Sequence, residues 1–244
     1  MIAEFSDTNS RMDVTSITRI AGLIGEPARI RMLAALLDGD GHSASELAVA
    51  AGVSPQTASS HLAKLMTGGL IQAERQGRQR HFWLKNADVA TAIESLGALA
   101  PPQAAAAIPE LRFARTCYDH LAGVLSIALR DELLRRDLLC NAHTGEFELT
   151  ERGEQFLRRF GIDAPGLRGL RRSFARTCLD WTERHHHVGG ALGAALLSRF
   201  FERTWIARIR HSRAVRITHE GEAQFERMFG VRCAALRSSK AVAR

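Results

Sequence analysis

Apolar residues begin to recur at helical spacing near Val14, after a polar lead, and Ile17, Ile20, Ala21 and Ile24 give a first helix one apolar side. Pro27 stands just inside a second helix with the stripe Ile30, Leu33, Ala34 and Leu37, and Asp38-Gly39-Asp40-Gly41 is the turn behind it. Helix formers fill Ala44–Ala51 until Gly52 stops them. Ser54 then offers an N-cap, Pro55 suits the first helical position, and the next helix runs through Met66 to Gly68-Gly69. Its core stripe is Ala58, Leu62 and Leu65, and its other side carries Gln56, Thr57, Ser60, His61 and Lys64. Two short helices joined by a glycine turn predict a helix-turn-helix, whose second helix enters the DNA major groove. Ser, Thr and Gln suit base edges, and Lys64 suits a phosphate.

The stretch LIQAERQGRQRHFWL, residues 70–84, reads as two strands around the turn Gln76-Gly77-Arg78. Arg75, Arg78, Arg80 and His81 make this hairpin basic, so it completes a winged helix. The expected DNA-binding residues are Ser54, Gln56, Thr57, Ser60, His61, Lys64, Arg75, Arg78 and Arg80. A further helix is expected over Ala87–Leu99, followed by the proline- and alanine-rich linker 100–110.

The second half matches itself. RFARTCYDH (Arg112–His120) aligns with SFARTCLDW (Ser173–Trp181), HLAGVLSIAL (His120–Leu129) with HVGGALGAAL (His187–Leu196), and FELTERGEQFLRRFGI (Phe147–Ile162) with VRITHEGEAQFERMFGV (Val215–Val231). The offset grows from 61 to 67 to 68, which places a six-residue insertion near Trp181–His186. Each copy reads as helix, helix, short strand, helix, and Leu149-Thr150 puts a helix N-cap directly after a strand, as at the end of a wing. The expected fold is mainly α with small β-hairpin wings: an N-terminal winged helix-turn-helix (14–99), the linker, and a helical C-terminal domain (111–231) of two winged-helix-like repeats, about 111–163 and 172–231, related by pseudo-twofold symmetry.

Residues 15–99 resemble the ArsR/SmtB family of bacterial winged-helix repressors, through EPARIRMLAALLDG (Glu26–Gly39), SELAVAAGVSPQTASSHLAKLMTGGLI and the wing GRQRHFWL ending at Leu84. The whole-chain pattern is similar to a long-chain branch of that family. The resemblance implies a homodimer on a palindromic double-stranded operator, released by an inducer, with dimer contacts from Thr15–Ile24 and Ala87–Leu99. The family's usual metal sites are missing. The arsenic-type Cys-x-Cys would fall in Glu46-Leu47-Ala48-Val49-Ala50-Ala51, where alanines offer no ligand, and the helix after the wing has Asp88 and Glu94 but no His or Cys.

Charge qualifies this picture. The chain carries +7 overall, yet residues 1–100 hold nine basic against ten acidic residues, and the rest holds 24 against 16, almost all arginine. Most of the positive charge therefore lies outside the winged helix, as a solvated arginine surface or as contacts to flanking DNA or an anionic ligand. Hydrophobic content of 45% suits a globular protein, and no apolar run approaches the ~20 residues of a membrane span. The opening MIAEFSDTNSRM has no basic and apolar leader pattern, so a cytoplasmic location and reduced thiols are expected.

The residues shared by the two copies are the candidate sensor: Arg115, Cys117, Asp119 and His120 against Arg176, Cys178, Asp180 and His187. Two Cys and two His can form a tetrahedral metal site, and a neighbouring Arg can activate a thiol for redox sensing. The same residues serve equally as buried small hydrophobes and helix-tying ion pairs. No cofactor is assured, and a metal ion and a small organic effector both stand as candidates. His185-His186-His187 reads as a polar turn in the insertion. A cysteine-dependent enzyme, with Cys117 or Cys178 as nucleophile, lacks an oxyanion turn, a nucleophile elbow or a phosphate loop, so no catalytic residue is assigned. The reading is a ligand-responsive repressor, with metal or thiol sensing as the alternative.

Overall fold

A computed structural model describes residues 13–77, 79–99, 109–141, 145–210 and 212–238. It divides into two compact units. One holds the chain up to Ala35 together with Gly41–Lys85; the other holds Leu36–Asp40 and the chain from Asn86 on. Among the described residues no helix is long and apolar enough to cross a membrane.

The first unit is built by local signals that agree with one another. Asp13 caps helix α1 (Val14–Ile24) by accepting from the backbone N–H groups of Thr15 and Ser16 at 3.1 and 3.2 Å. Helix α2 covers Pro27–Ala35. Strand β1 (His42–Ser43) leads into α3 (Ala44–Ala51), which starts with a capping box between Ser43 and Glu46 and stops at Gly52, whose φ of +69° favours glycine. Helix α4 (Pro55–Thr67) follows Ser54, and strands β2 (Ile71–Gln76) and β3 (Gln79–Leu84) form the wing, in a sheet of order β1-β3-β2. Met32, Leu33, Leu47, Ala58, Leu62, Leu65, Phe82 and Leu84 are buried between these elements. This is the expected winged helix-turn-helix.

Helix α5 (Ala87–Leu99) belongs by its contacts to the second unit, not to the winged helix as the sequence suggested. Its Ala90, Ile93, Glu94 and Ala98 are buried there; Arg176 donates to Thr91 Oγ1 at 2.6 Å, and Arg213 pairs with Glu94. Of the expected linker, residues 100–108 lie outside the described residues, and Pro109 already opens the short helix α6 (Pro109–Phe113).

The second unit then runs through one element order twice. The first stretch is β4 (Arg115–Cys117), β5 (His120–Ala122), α7 (Val124–Arg135), β6 (Leu139–Asn141), β7 (Phe147–Leu149) and α8 (Glu151–Phe160). After a short helix α9 (Ala164–Arg168) come β8 (Thr177–Leu179), β9 (His186–Val188), α10 (Gly190–Glu202), β10 (Ile206–Arg208), β11 (Val215–Ile217) and α11 (His219–Gln224), with α12 (Cys233–Ser238) at the end. The sequence expectation of a leading helix in each stretch is corrected: both lead with a hairpin. Three-residue strands give no measurable period, so Phe-Ala-Arg-Thr-Cys carries no strand signal of its own.

Matching positions do matching work. Thr150 and Thr218 each cap the following helix, accepting from the N–H of Gly153 and Gly221 at 2.9 Å. From these glycines to Gly161 and Gly230 the offset grows from 68 to 69, and the extra residue is taken up as a wider π-helical turn over Phe225–Phe229. The stretches also exchange contacts reciprocally. Ala114 accepts from Val215 N–H at 3.0 Å and Ala175 from Phe147 N–H at 2.8 Å, so each leading hairpin joins the trailing hairpin of the other stretch. Arg136 donates to the Met228 carbonyl at 2.6 Å and Arg203 to the Phe160 carbonyl at 3.0 Å. Each of these two guanidiniums also covers an aromatic ring, Phe156 and Phe160 respectively. A share of the arginine excess thus ties the second unit together and is not a merely solvated surface. Between the stretches, Leu125, Leu129, Leu192 and Leu196 pack with Phe160, Phe200, Trp205, Phe225 and Phe229 in one core.

A Cβ at Gly153 or Gly221 would lie 2.0 Å from the Leu138 or Trp205 carbonyl oxygen, whereas one at Gly22 meets nothing within 4 Å. Gly153→Ala and Gly221→Ala are each expected to destabilise the second unit by at least ~1–3 kcal/mol, and Gly22→Ala not at all. Urea unfolding followed by tryptophan fluorescence checks this; equal midpoints for all three would refute it.

Candidate functional site

On α4, Gln56, Ser60 and Lys64 are exposed at four-residue spacing and form one polar face. Ser54 and Thr57 are exposed as well, but their hydroxyls bond each other at 2.8 Å and Ser54 also caps the helix. His61 is half-buried, with Nδ1 3.4 Å from Arg29 Nη1 and 3.6 Å from Glu26 Oε2, so it ties α4 to the start of α2. Arg75 and Arg80 are exposed cross-strand partners on the wing, and the Arg80 guanidinium lies over the Phe82 ring at 5.4 Å. Arg78 lies outside the described residues. Exposed amides and hydroxyls beside a basic hairpin present what a major groove and its flanking phosphates require.

The second unit gathers the other predicted set. Cys117 and His120 are cross-strand partners in the β4–β5 hairpin, and Cys178 and His187 are partners in β8–β9. The two hairpins bring these side chains together: the sulfurs are 3.9 Å apart, the two Nε2 atoms 3.1 Å apart, and all four ligating atoms lie within 4.8 Å of one another. All four residues are buried. Gly189 leaves room for the imidazole, since a Cβ there would come within 3.2 Å of His120 Nε2.

Carboxylates stand behind both histidines. Asp119 Oδ1 is 3.1 Å from His120 Nδ1, and its other oxygen accepts from Arg172 at 2.6 Å. Asp180, wholly buried, lies with Oδ2 3.8 Å from His187 Nδ1. Its oxygens accept from Arg115 Nη2 at 2.9 Å, Gly123 N–H at 2.7 Å, Thr182 N–H and Oγ1 at 2.9 and 2.6 Å, and Glu183 N–H at 3.0 Å. Burial favours its neutral form, yet the Arg115 charge and these donors hold the Asp180 carboxyl well below the usual range. Arg176, the counterpart of Arg115, turns instead to Thr91. Arg172 and Thr182 were missed in the sequence: Arg172 aligns with Leu111, and Thr182 falls inside the insertion.

Burial opposes charge on His120, but the Cys117 sulfur and the Asp119 carboxylate outweigh it and carry its pKa up to about 9. His187 goes the other way, pushed well below the usual value by burial and by the positive charge on His120. The hydrogen bond with Cys178 and burial raise the Cys117 thiol well above its ordinary value. A buried thiol shifted upward is the reverse of an activated nucleophile.

The first unit is a winged-helix DNA-binding domain, and comparison with known proteins agrees. A helix-turn-helix domain family matches residues 24–72. The uncharacterized HTH-type transcriptional regulator YdfF of Bacillus subtilis is 43% identical over 223 residues, which cover 89% of this chain and 98% of YdfF. The HTH-type transcriptional regulator CmtR of Mycobacterium tuberculosis is 33% identical over 85 residues, 35% of this chain and 71% of CmtR. The solution structure of CmtR, described as a cadmium metal-sensor, superposes with a TM-score of 0.29 at 34% identity over 32% of this chain and 81% of that one. The chain belongs to the ArsR/SmtB-type winged-helix transcriptional regulators, and it is a DNA-binding regulator rather than an enzyme.

Arg115→Ala would leave the Asp180 carboxylate buried without its counter-charge. The expected loss is about 3–5 kcal/mol in the stability of the second unit. Urea unfolding read through Trp181 and Trp205 measures it, and an unchanged midpoint would show that the pair does not hold the two stretches together.

Proposed function

We propose that this chain is a cytoplasmic, homodimeric repressor that reads a palindromic operator with α4 and the wing, and that its second unit is an effector domain of two winged-helix-like repeats that responds to a metal ion. The carrying observation for DNA is the exposed Gln56–Ser60–Lys64 face of α4 beside Arg75 and Arg80. Gln56 and Ser60 read base edges; Lys64, Arg75, Arg78 and Arg80 bind phosphates or the minor groove. Dimer formation is supported by α1, which buries none of its residues and exposes Val14 and Ile17, and by Leu96 and Leu99 exposed on α5.

A metal effector is favoured by the buried Cys/His cluster, which offers four ligand atoms within 4.8 Å of one another. Winged-helix ancestry of the two stretches is supported by their shared hairpin–helix–hairpin–helix order and by the equivalent Thr150 and Thr218 caps.

The test is fluorescence anisotropy on DNA from the protein's own promoter across a salt series. Gln56→Ala and Ser60→Ala should each cost about 1–3 kcal/mol and relax sequence preference. Arg75→Ala and Arg80→Ala should weaken binding to all sequences and each reduce the salt slope by about 1. Unchanged specific binding in a variant lacking Gln56, Ser60 and Lys64 together would contradict this assignment.

A further inference from the structure

We propose that the second unit binds one divalent d10 cation of the zinc class per chain, four-coordinate through Cys117 Sγ, Cys178 Sγ, His120 Nε2 and His187 Nε2, with Asp119 and Asp180 as positioning residues. This deepens, and rests on, the reading of the second unit as metal-responsive, by naming the ion's charge, geometry and supporting groups.

Geometry carries the first part. A tetrahedral ion with Zn–S of about 2.3 Å and Zn–N of about 2.0–2.1 Å sets its two sulfurs roughly 3.8 Å apart and its two nitrogens roughly 3.3–3.4 Å apart. The chain holds these two pairs 3.9 and 3.1 Å apart, and all four ligand atoms lie within 4.8 Å of one another, so coordination closes the sulfur–nitrogen pairs by about 1 Å at most. Without an ion the facing Nε2 atoms share one N–H···N hydrogen bond, and an ion between them takes the place of that proton. Since all four ligands are buried and each hairpin supplies one Cys and one His, the site is closed, and the ion would join the two hairpins.

The surroundings carry the second part. Coordination through Nε2 leaves Nδ1–H on each ring, and each Nδ1 faces a carboxylate: His120 faces Asp119 at 3.1 Å, and His187 faces Asp180 at 3.8 Å. His187 Nδ1 is buried without a hydrogen-bond partner, and a small rotation onto the ion brings it toward Asp180. Arg172 and Arg115 already balance the two carboxylates. On binding, both thiols and the His120 imidazolium lose a proton to solvent, leaving two neutral imidazoles and two thiolates that cancel a charge of +2. A monovalent ion would leave one net negative charge buried, which is costly. Charge balance therefore selects a divalent ion.

The test uses the full chain, stripped by chelator and with both thiols verified reduced, titrated with Co²⁺ and then Zn²⁺. Expected are one Co²⁺ per chain, the intense visible absorption of a tetrahedral site, a near-ultraviolet thiolate-to-cobalt band, and displacement by one equivalent of Zn²⁺. Cys117→Ser and Cys178→Ser should each weaken the thiolate band. Asp119→Asn should keep the tetrahedral spectrum and the unfolding midpoint while lowering zinc affinity about 10–100-fold, with Asp119→Glu restoring part of it. Asp119 serves here because it is partly exposed and its replacement leaves the buried Arg115–Asp180 pair intact. A folded protein that binds no Co²⁺, a weak six-coordinate spectrum, or titrations indifferent to the Cys variants would overturn the site. Loss of the ion with operator binding intact would remove the site alone; tight zinc binding without any effect on operator affinity would remove the regulatory reading and leave the site standing.

Discussion

Asp180 is wholly buried, and a carboxylate taken out of water survives as an anion only where donors replace its hydration shell. Five donors do so here. Arg115 arrives from the first stretch, Gly123 N–H from the entry to α7, and Thr182 and Glu183 from the loop that Asp180 itself opens. Through those bonds one side chain fixes the leading hairpin of the first stretch, the start of its helix and the long loop of the second. The Cys/His cluster depends on this constraint, because it forms only where both leading hairpins are held against each other. Partial symmetry follows: Arg115 serves the carboxylate, while its counterpart Arg176 is released to α5.

How much of this was legible in the sequence depended on how local each signal is. The winged helix was legible because its cues lie within a few residues: Ser54-Pro55 at the start of α4, Gly52 at the end of α3, and a glycine turn between basic strands. The contacts of His61 were not legible because helical spacing gives a face but not the height of a neighbouring Arg29 and Glu26. In the second half, comparing the chain with itself identified the four metal-ligand candidates, though not the strands that carry them. Cys117 and His120 flank the two residues of a tight turn, and their partners lie across a six-residue loop; only pairing in space unites them. Arg172 and Thr182 had no counterpart to mark them.

The charge distribution also changes meaning once the contacts are known. Residues beyond 100 carry an excess of eight positive charges, which invites a reading as a DNA or anion surface. Arg115, Arg136, Arg172 and Arg203 instead meet carboxylates, carbonyls and ring faces inside the second unit. Under the proposed function, the charges that meet DNA belong to α4 and the wing, where few residues suffice because position, rather than net charge, specifies a site.

The central claim is that the buried cluster and the operator are coupled through one protein. Linkage requires that an ion altering operator affinity be altered in its own affinity by the same factor. Zinc affinity should therefore be measured by competition with a chelating dye on the free chain and on the chain saturated with operator. The account predicts two different affinities, in a ratio equal to the change that zinc produces in operator binding. Identical zinc affinities in the two states would contradict it.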